Sequence, residues 1–216
     1  MSGTDIVNSL AGLLIFTSLL VIETKRPSRA ALLYGVQSLV MVAIFAALAN
    51  MTGSTELYLW AASSMVTKVI LVPAILYFAL RRFDTVQTLP SLLRVSAVVV
   101  LAAAVVVLCA LIVASIKLPM TGAFRPTLTV SLAHFFLGIA CIVTQRNIIK
   151  QIFGYCLMEN GSHLTLALLA NQAPELVEIG VATDAVFAVV IFTVLARRIQ
   201  RTFHSLDSDD MMTLRG

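Results

Sequence analysis

Seven times along its 216 residues the chain runs for 17 residues or more with hardly a charge: 6–22, 30–49, 57–80, 95–116, 128–144, 148–170 and 176–196. Runs of that length match the hydrocarbon layer of a bilayer, which takes about 17–25 helical residues to cross. No water is available there for backbone N–H and C=O groups, so each run has to close its hydrogen bonds within itself as an α-helix. The runs therefore predict an all-α integral membrane bundle of seven transmembrane helices. Composition agrees: the chain is 59% hydrophobic and 12% charged, against about 45–50% and about 25% in soluble domains. The first run does not read as a cleavable signal peptide, because its cationic flank of Lys25, Arg26 and Arg29 follows the apolar stretch instead of preceding it.

Charge predicts the orientation. Cytoplasmic loops of membrane proteins collect Lys and Arg. With the N-terminus outside and the C-terminus cytoplasmic, the inner loops and tail hold Lys25, Arg26, Arg29, Arg81, Arg82, Arg94, Arg146, Lys150, Arg197, Arg198, Arg201 and Arg215, twelve of the fifteen cations. The outer loops hold Lys117 and Arg125 with the acids Glu56, Glu175 and Glu178, and Lys68 is left inside a helix. The net charge of +4 is thus a statement about orientation rather than about nucleic acid. The cysteines Cys109, Cys141 and Cys156 all fall in apolar runs without metal-ligand spacing and read as packing residues.

One layout occurs twice: helix, basic loop, helix, acid-bearing outer loop, helix, Arg-Arg. The first copy carries Thr67-Lys68 and then Arg81-Arg82, the second Thr183-Asp184 and then Arg197-Arg198, at a constant offset. The division that follows is a three-helix unit over 1–94, a linking helix and outer loop over 95–127, a second three-helix unit over 128–201 and a polar tail over 202–216. Any three-helix unit with basic inner loops shows this layout, so chance stays open beside a true repeat. The tail reads as a subunit contact or a frayed end.

Five ionisable residues lie inside the apolar runs: Lys68, His134, Glu159, His163 and Asp184. Each is within four residues of the middle of its run, which places them within about 6 Å of the midplane at the helical rise of about 1.5 Å. A carboxylate at that depth costs about 2.5–3.5 kcal/mol on insertion scales, so Glu159 needs a partner. Glu159 and His163 are spaced i, i+4 and share a helix face. Asn160 and Ser162 add polar groups nearby, and Gly161 leaves room for a close neighbour or a water next to the backbone. Two explanations compete for this belt. Polar side chains in membrane helices bond across a bundle and fix its packing, at about 0.6–2 kcal/mol per contact. Alternatively, groups that each gain or lose a proton form a relay with water between them, as in pumps and transporters. No Gly-rich phosphate loop, paired-Cys cluster motif or nucleophile with a positioned base is present.

The residues around this belt carry a resemblance. Arg146-Asn147, Gly154 and Thr183-Asp184-Ala185 make the last three helices similar to the three-helix K-type subunit of respiratory complex I, whose second and third helices each carry a carboxylate. The position of the second-helix carboxylate in those relatives is Cys156 here, and Glu159 stands one turn further on. The tail, with Asp-Ser and a final Arg-Gly, is similar as well. The whole chain, and above all the run 151–163, most resembles the hydrogenase-4 membrane component E family. The resemblance implies a non-catalytic subunit in the membrane arm of a formate hydrogenlyase, where formate oxidation is coupled to hydrogen evolution. It implies antiporter-like subunits as neighbours, a cytoplasmic hydrogenase arm reached through them, and the bacterial inner (cytoplasmic) membrane as location. It also implies no cofactor or metal in this chain, with the nickel–iron site and iron–sulfur clusters in partner subunits. On that footing Glu159 and Asp184 are the main proton-relay candidates, with Lys68, His134 and His163 in support. A purely structural membrane anchor and an independent small transporter are the alternatives.

Overall fold

The computed structural model describes residues 3–81, 94–116, 122–169, 175–203 and 205–208, with side chains from residue 183 onward in the stretch that starts at 175. Among these residues the secondary structure is helical apart from turns and one isolated bridge. α1 (Gly3–Glu23) and α2 (Pro27–Thr52) form an antiparallel pair joined by a tight turn. Pro27 opens α2, where its missing N–H costs nothing. Gly53 closes α2 in the left-handed conformation, φ 67°, and returns its N–H to the Ala49 carbonyl. Ser54 then caps α3 (Thr55–Ser64) by accepting the Leu57 amide at 3.2 Å.

The third segment is one continuous helix with a widened middle. α3 passes into a π-helical stretch, Met65–Leu71, and continues as α4 (Val72–Leu80). Pro73 explains where the register changes, since it has no N–H to give the Val69 carbonyl, and the Val72 amide reaches back to Thr67 instead. α5 (Val95–Ser115) is the most apolar element. It packs mainly on α6 and leaves Val100, Val107, Leu108 and Leu111 on the outside, as a lipid-facing helix would. A short turn, Gly122–Phe124, leads into α6 (Arg125–Thr144), followed by α7 (Ile148–Leu169) and α8 (Glu175–Phe203).

α6 and α7 approach closest. A Cβ on Gly138 would stand 2.6 Å from the Gly154 carbonyl oxygen, and one on Gly161 would stand 2.7 Å from the Phe135 Cα. Only glycine lets the two backbones come this near, which is how helices without a hydrophobic drive between them gain packing in lipid. The room left by Gly161 is thus filled by the backbone of α6.

The five segments Gly3–Glu23, Pro27–Thr52, Thr55–Leu80, Val95–Ser115 and Gly122–Thr144 are long and apolar enough to cross a membrane. α7 and α8, at 22 and 29 residues, have the length as well. α7 is less apolar because Lys150, Glu159, Asn160 and His163 interrupt it, and those four side chains point inward. Together the helical segments match the seven runs of the sequence to within about three residues at each end, except that α8 continues past 196 to Phe203.

The start of the tail does not fray. The Ile148 amide donates to the Leu206 carbonyl at 3.1 Å, the Ser208 amide donates to the Arg146 carbonyl at 3.0 Å, and Leu206 is fully buried. For 205–208 the expectation of a frayed end is corrected: an apolar side chain among polar ones anchors the segment on the α6–α7 turn. Residues 209–216 lie outside the described set, as do Arg82, Lys117 and Arg215 of the charge count.

Two apolar clusters fill the bundle at different depths. One gathers Tyr34, Leu76, Ile149, Phe153, Leu157 and Leu206, the other Leu14, Met41, Phe45, Trp60 and Leu164. The polar belt lies in the layer between them, sealed on both sides.

Candidate functional site

Lys68 projects from the π-helical stretch into the centre of the bundle and is 1% exposed. A lysine there loses nearly all its hydration, and its three N–H donors need three acceptors. α7 supplies them. Lys68 Nζ lies 3.0 Å from Glu159 Oε1, donates to Asn160 Oδ1 at 2.9 Å and abuts His163 Nδ1. The Glu159 contact is an ion pair without good hydrogen-bond alignment, and among the described residues the second carboxylate oxygen is buried without a hydrogen bond.

The geometry assigns the tautomer of His163. With Nδ1 facing the ammonium, that nitrogen accepts, so the proton sits on Nε2 and points toward Glu159 Oε1, 3.6 Å away. The i, i+4 pairing expected from the sequence is present, with a cation inserted beside both members. Lys68, Glu159 and His163 form a triad in which each group touches the other two, and each can hold or release a proton.

From the triad a chain of hydrogen bonds crosses the bundle, and its donors all point one way. Asn160 Nδ2 donates to Gln37 Oε1 at 2.9 Å, and Gln37 Nε2 meets His134 Nε2 at 3.0 Å. His134 Nδ1 therefore carries the proton and faces Ser18 Oγ at 2.8 Å, and Ser18 passes its hydroxyl to the Leu14 carbonyl at 2.6 Å. Ser38 and Tyr34 add bonds to Asn160 at 3.3 and 3.4 Å. The acceptor end of each carboxamide faces the lysine and the donor end faces away, the order a fixed positive charge at Lys68 imposes. Five segments of the bundle meet here: α1, α2, the π-helical stretch, α6 and α7.

The five sequence candidates divide accordingly. Lys68, Glu159 and His163 are in mutual contact. Among the described residues His134 is joined to them through Gln37 and Asn160, whose amides donate and accept hydrogen bonds but do not titrate. Asp184 stands on α8 with an exposed side chain, close enough for its charge to act on Lys68 and Glu159. Cys156 is fully buried.

Sequence reasoning passed over Gln37, Ser38, Ser18 and Tyr34. The usable signal was amide and hydroxyl groups at the depth of the belt, clearest in the second run, which is free of them apart from Tyr34, Gln37 and Ser38. It also counted Lys150 among loop cations, whereas this residue is 2% exposed inside the first turn of α7. Among the described residues no group of three or more His, Cys, Asp or Glu converges as a metal site.

Apolar helices packed around a buried Lys–Glu–His triad define a polytopic membrane protein with ionisable groups gathered at mid-bundle. Residues 126–216 match the family described as NADH-ubiquinone/plastoquinone oxidoreductase chain 4L. Over the full length of both chains the protein is 51% identical to hydrogenase-4 component E of Escherichia coli (strain K12), and equally to that of Shigella flexneri. An uncharacterized protein of Mycobacterium tuberculosis (strain ATCC 25618 / H37Rv) is 31% identical over 83 residues, 38% of each chain. No solved structure matches. The chain belongs to the hydrogenase-4 component E family, and its C-terminal half is related to the K-type subunit of complex I.

Proposed function

We propose that this chain is a membrane-arm subunit of a hydrogenase-4 or formate hydrogenlyase-type complex and takes part in a transmembrane proton relay coupled to formate oxidation and hydrogen evolution. The observation that supports the relay is the triad: a lysine, a glutamate and a histidine in mutual contact, more than nine-tenths buried, at the depth where an uncompensated charge is most costly. For helix packing alone, neutral amide pairs such as Asn160–Gln37 suffice at about 0.6–2 kcal/mol each. Three titratable groups add a cost that packing does not require, and they add groups that can exchange a proton once the 3.6 Å between Glu159 and His163 closes or a water bridges it.

In this reading Lys68 stabilises the charged form of Glu159, and His163 is the group through which Glu159 can lose or regain its proton. Asp184, within electrostatic reach on the outer face of α8, is the next station. The nickel–iron site and the iron–sulfur clusters belong to partner subunits, and antiporter-like subunits are the membrane neighbours. The N-terminus lies outside, the C-terminus in the cytoplasm, and the membrane is the bacterial inner membrane.

Position as well as charge is testable. Cys156 lies one turn from Glu159 on the same helix, where the complex I relatives carry their carboxylate. In sealed vesicles containing the whole complex, Cys156→Glu in a Glu159→Gln background should restore proton uptake coupled to hydrogen evolution. A rescued variant supports a relay that tolerates a one-turn shift. A double variant that evolves hydrogen at the normal rate but stays uncoupled argues for a role fixed at position 159.

A further inference from the structure

At the turn between α1 and α2, residues Thr24, Lys25, Arg26, Arg29, Leu32 and Leu33 line an open cleft of about 520 Å³. The three cations are exposed and make no salt bridge or side-chain hydrogen bond among the described residues. Glu23, two residues before Lys25, is partly buried and forms no ion pair with them, and three like charges converging within one turn are costly to concentrate. α2 starts in the cleft, and its N-terminal backbone adds a partial positive charge of the same sign.

Below the cations the surface changes character. Leu32, Val36 and Leu39 on α2 are 57%, 51% and 46% exposed and follow one another down the helix at i, i+4 and i+7, and Phe16 and Leu20 of the paired helix α1 are exposed as well. A cationic cleft that opens directly onto a lipid-facing apolar stripe has the shape of an anionic amphiphile with its headgroup uppermost. A soluble anion would use the upper part and leave the stripe without a role. The geometry points to a binding site for an anionic phospholipid, its phosphate held by Lys25, Arg26 and Arg29 and one acyl chain lying along Leu32, Val36 and Leu39.

The test uses the intact complex in nanodiscs and photoactivatable lipids as probes, with labelling mapped by mass spectrometry. Photoactivatable phosphatidylglycerol should label residues 24–39, whereas phosphatidylcholine should label them weakly. Removing the charge in Lys25→Gln/Arg26→Gln/Arg29→Gln should weaken phosphatidylglycerol binding on the order of a hundredfold, at roughly fivefold per cation, and should leave phosphatidylcholine labelling unchanged. Equal labelling by the two lipids would overturn the site. So would loss of the phosphatidylglycerol signal to competing inorganic phosphate, which would identify a soluble anion. Crosslinking from a photoreactive residue at position 29 to a neighbouring subunit in place of lipid would overturn it too. If the triple variant does not assemble, the comparison of lipids and the phosphate competition in the unaltered complex decide the matter.

Discussion

Lys68 and Glu159 stand or fall together. Removing one partner of a buried ion pair leaves the other charge uncompensated, at about 3–5 kcal/mol, whereas removing both can be nearly neutral. Lys68→Met alone should therefore lower the thermal stability of the assembled complex, and Lys68→Met/Glu159→Gln should recover most of the loss. Differential scanning fluorimetry of the purified complex reads both. Stabilities that simply add would mean that the two groups do not interact as their 3.0 Å separation requires. Much of this pair was visible in the sequence: both residues interrupt apolar runs near mid-depth, and Glu159 with His163 is a helical i, i+4 pair. That Lys68 faces Glu159 was not visible, because the rotation of one helix against another depends on packing that no local pattern encodes. Asp184 shows the same gap from the other side, since its depth was legible and its outward direction was not.

Two local features hold the site in shape. The π-helical stretch Met65–Leu71 turns Lys68 inward, and Pro73 marks where it ends. The run stays free of charge apart from Lys68 from one flank to the other, so the sequence read as one helix over 57–80, with Pro73 the one mark of the change of register inside. The glycines of α6 and α7 are the second feature. Gly138→Leu would drive a side chain into the Gly154 carbonyl, and overpacking of this kind costs about 1–3 kcal/mol or more. Assembled complex in membranes should fall accordingly, as measured by native gel electrophoresis. Gly12→Ala is the control, since a Cβ there meets nothing within 4 Å and the residue change favours a helix by up to about 1 kcal/mol. Equal effects of the two substitutions would remove close α6–α7 contact from the account. The glycines were readable as small residues in apolar runs, and Gly161 was read as room for a neighbour, but which helix would fill the room was settled only by the fold.

At the scale of the molecule, the seven apolar runs and the helices coincide because in a bilayer length and apolarity leave the backbone no other choice. The tail was the exception: Leu206 docks 205–208 onto the α6–α7 turn through two backbone hydrogen bonds, and one buried leucine among polar residues is a faint signal. The proposed orientation makes its own prediction. A reporter fused after Gly216 should be active in the cytoplasm, and one inserted at Gly53, the left-handed turn between α2 and α3, should be active on the outside. The opposite pattern would invert the bundle and exchange the inner and outer ends of every helix.

The central claim is that Glu159 changes protonation while the complex turns over. Glu159→Gln keeps the size of the side chain and an acceptor for Lys68 while removing the titrating group. Proton uptake per hydrogen evolved, measured in sealed vesicles with an artificial electron donor, tests the claim most directly. The account predicts a variant that is less stable than the unaltered complex, because Lys68 loses its counter-charge, but that still assembles and evolves hydrogen, and whose coupled proton movement per hydrogen falls by an order of magnitude or more, since an amide cannot take the place of a carboxyl group in a relay. Unchanged proton uptake per hydrogen evolved would contradict it and leave Glu159 as a partner that only holds Lys68 in place.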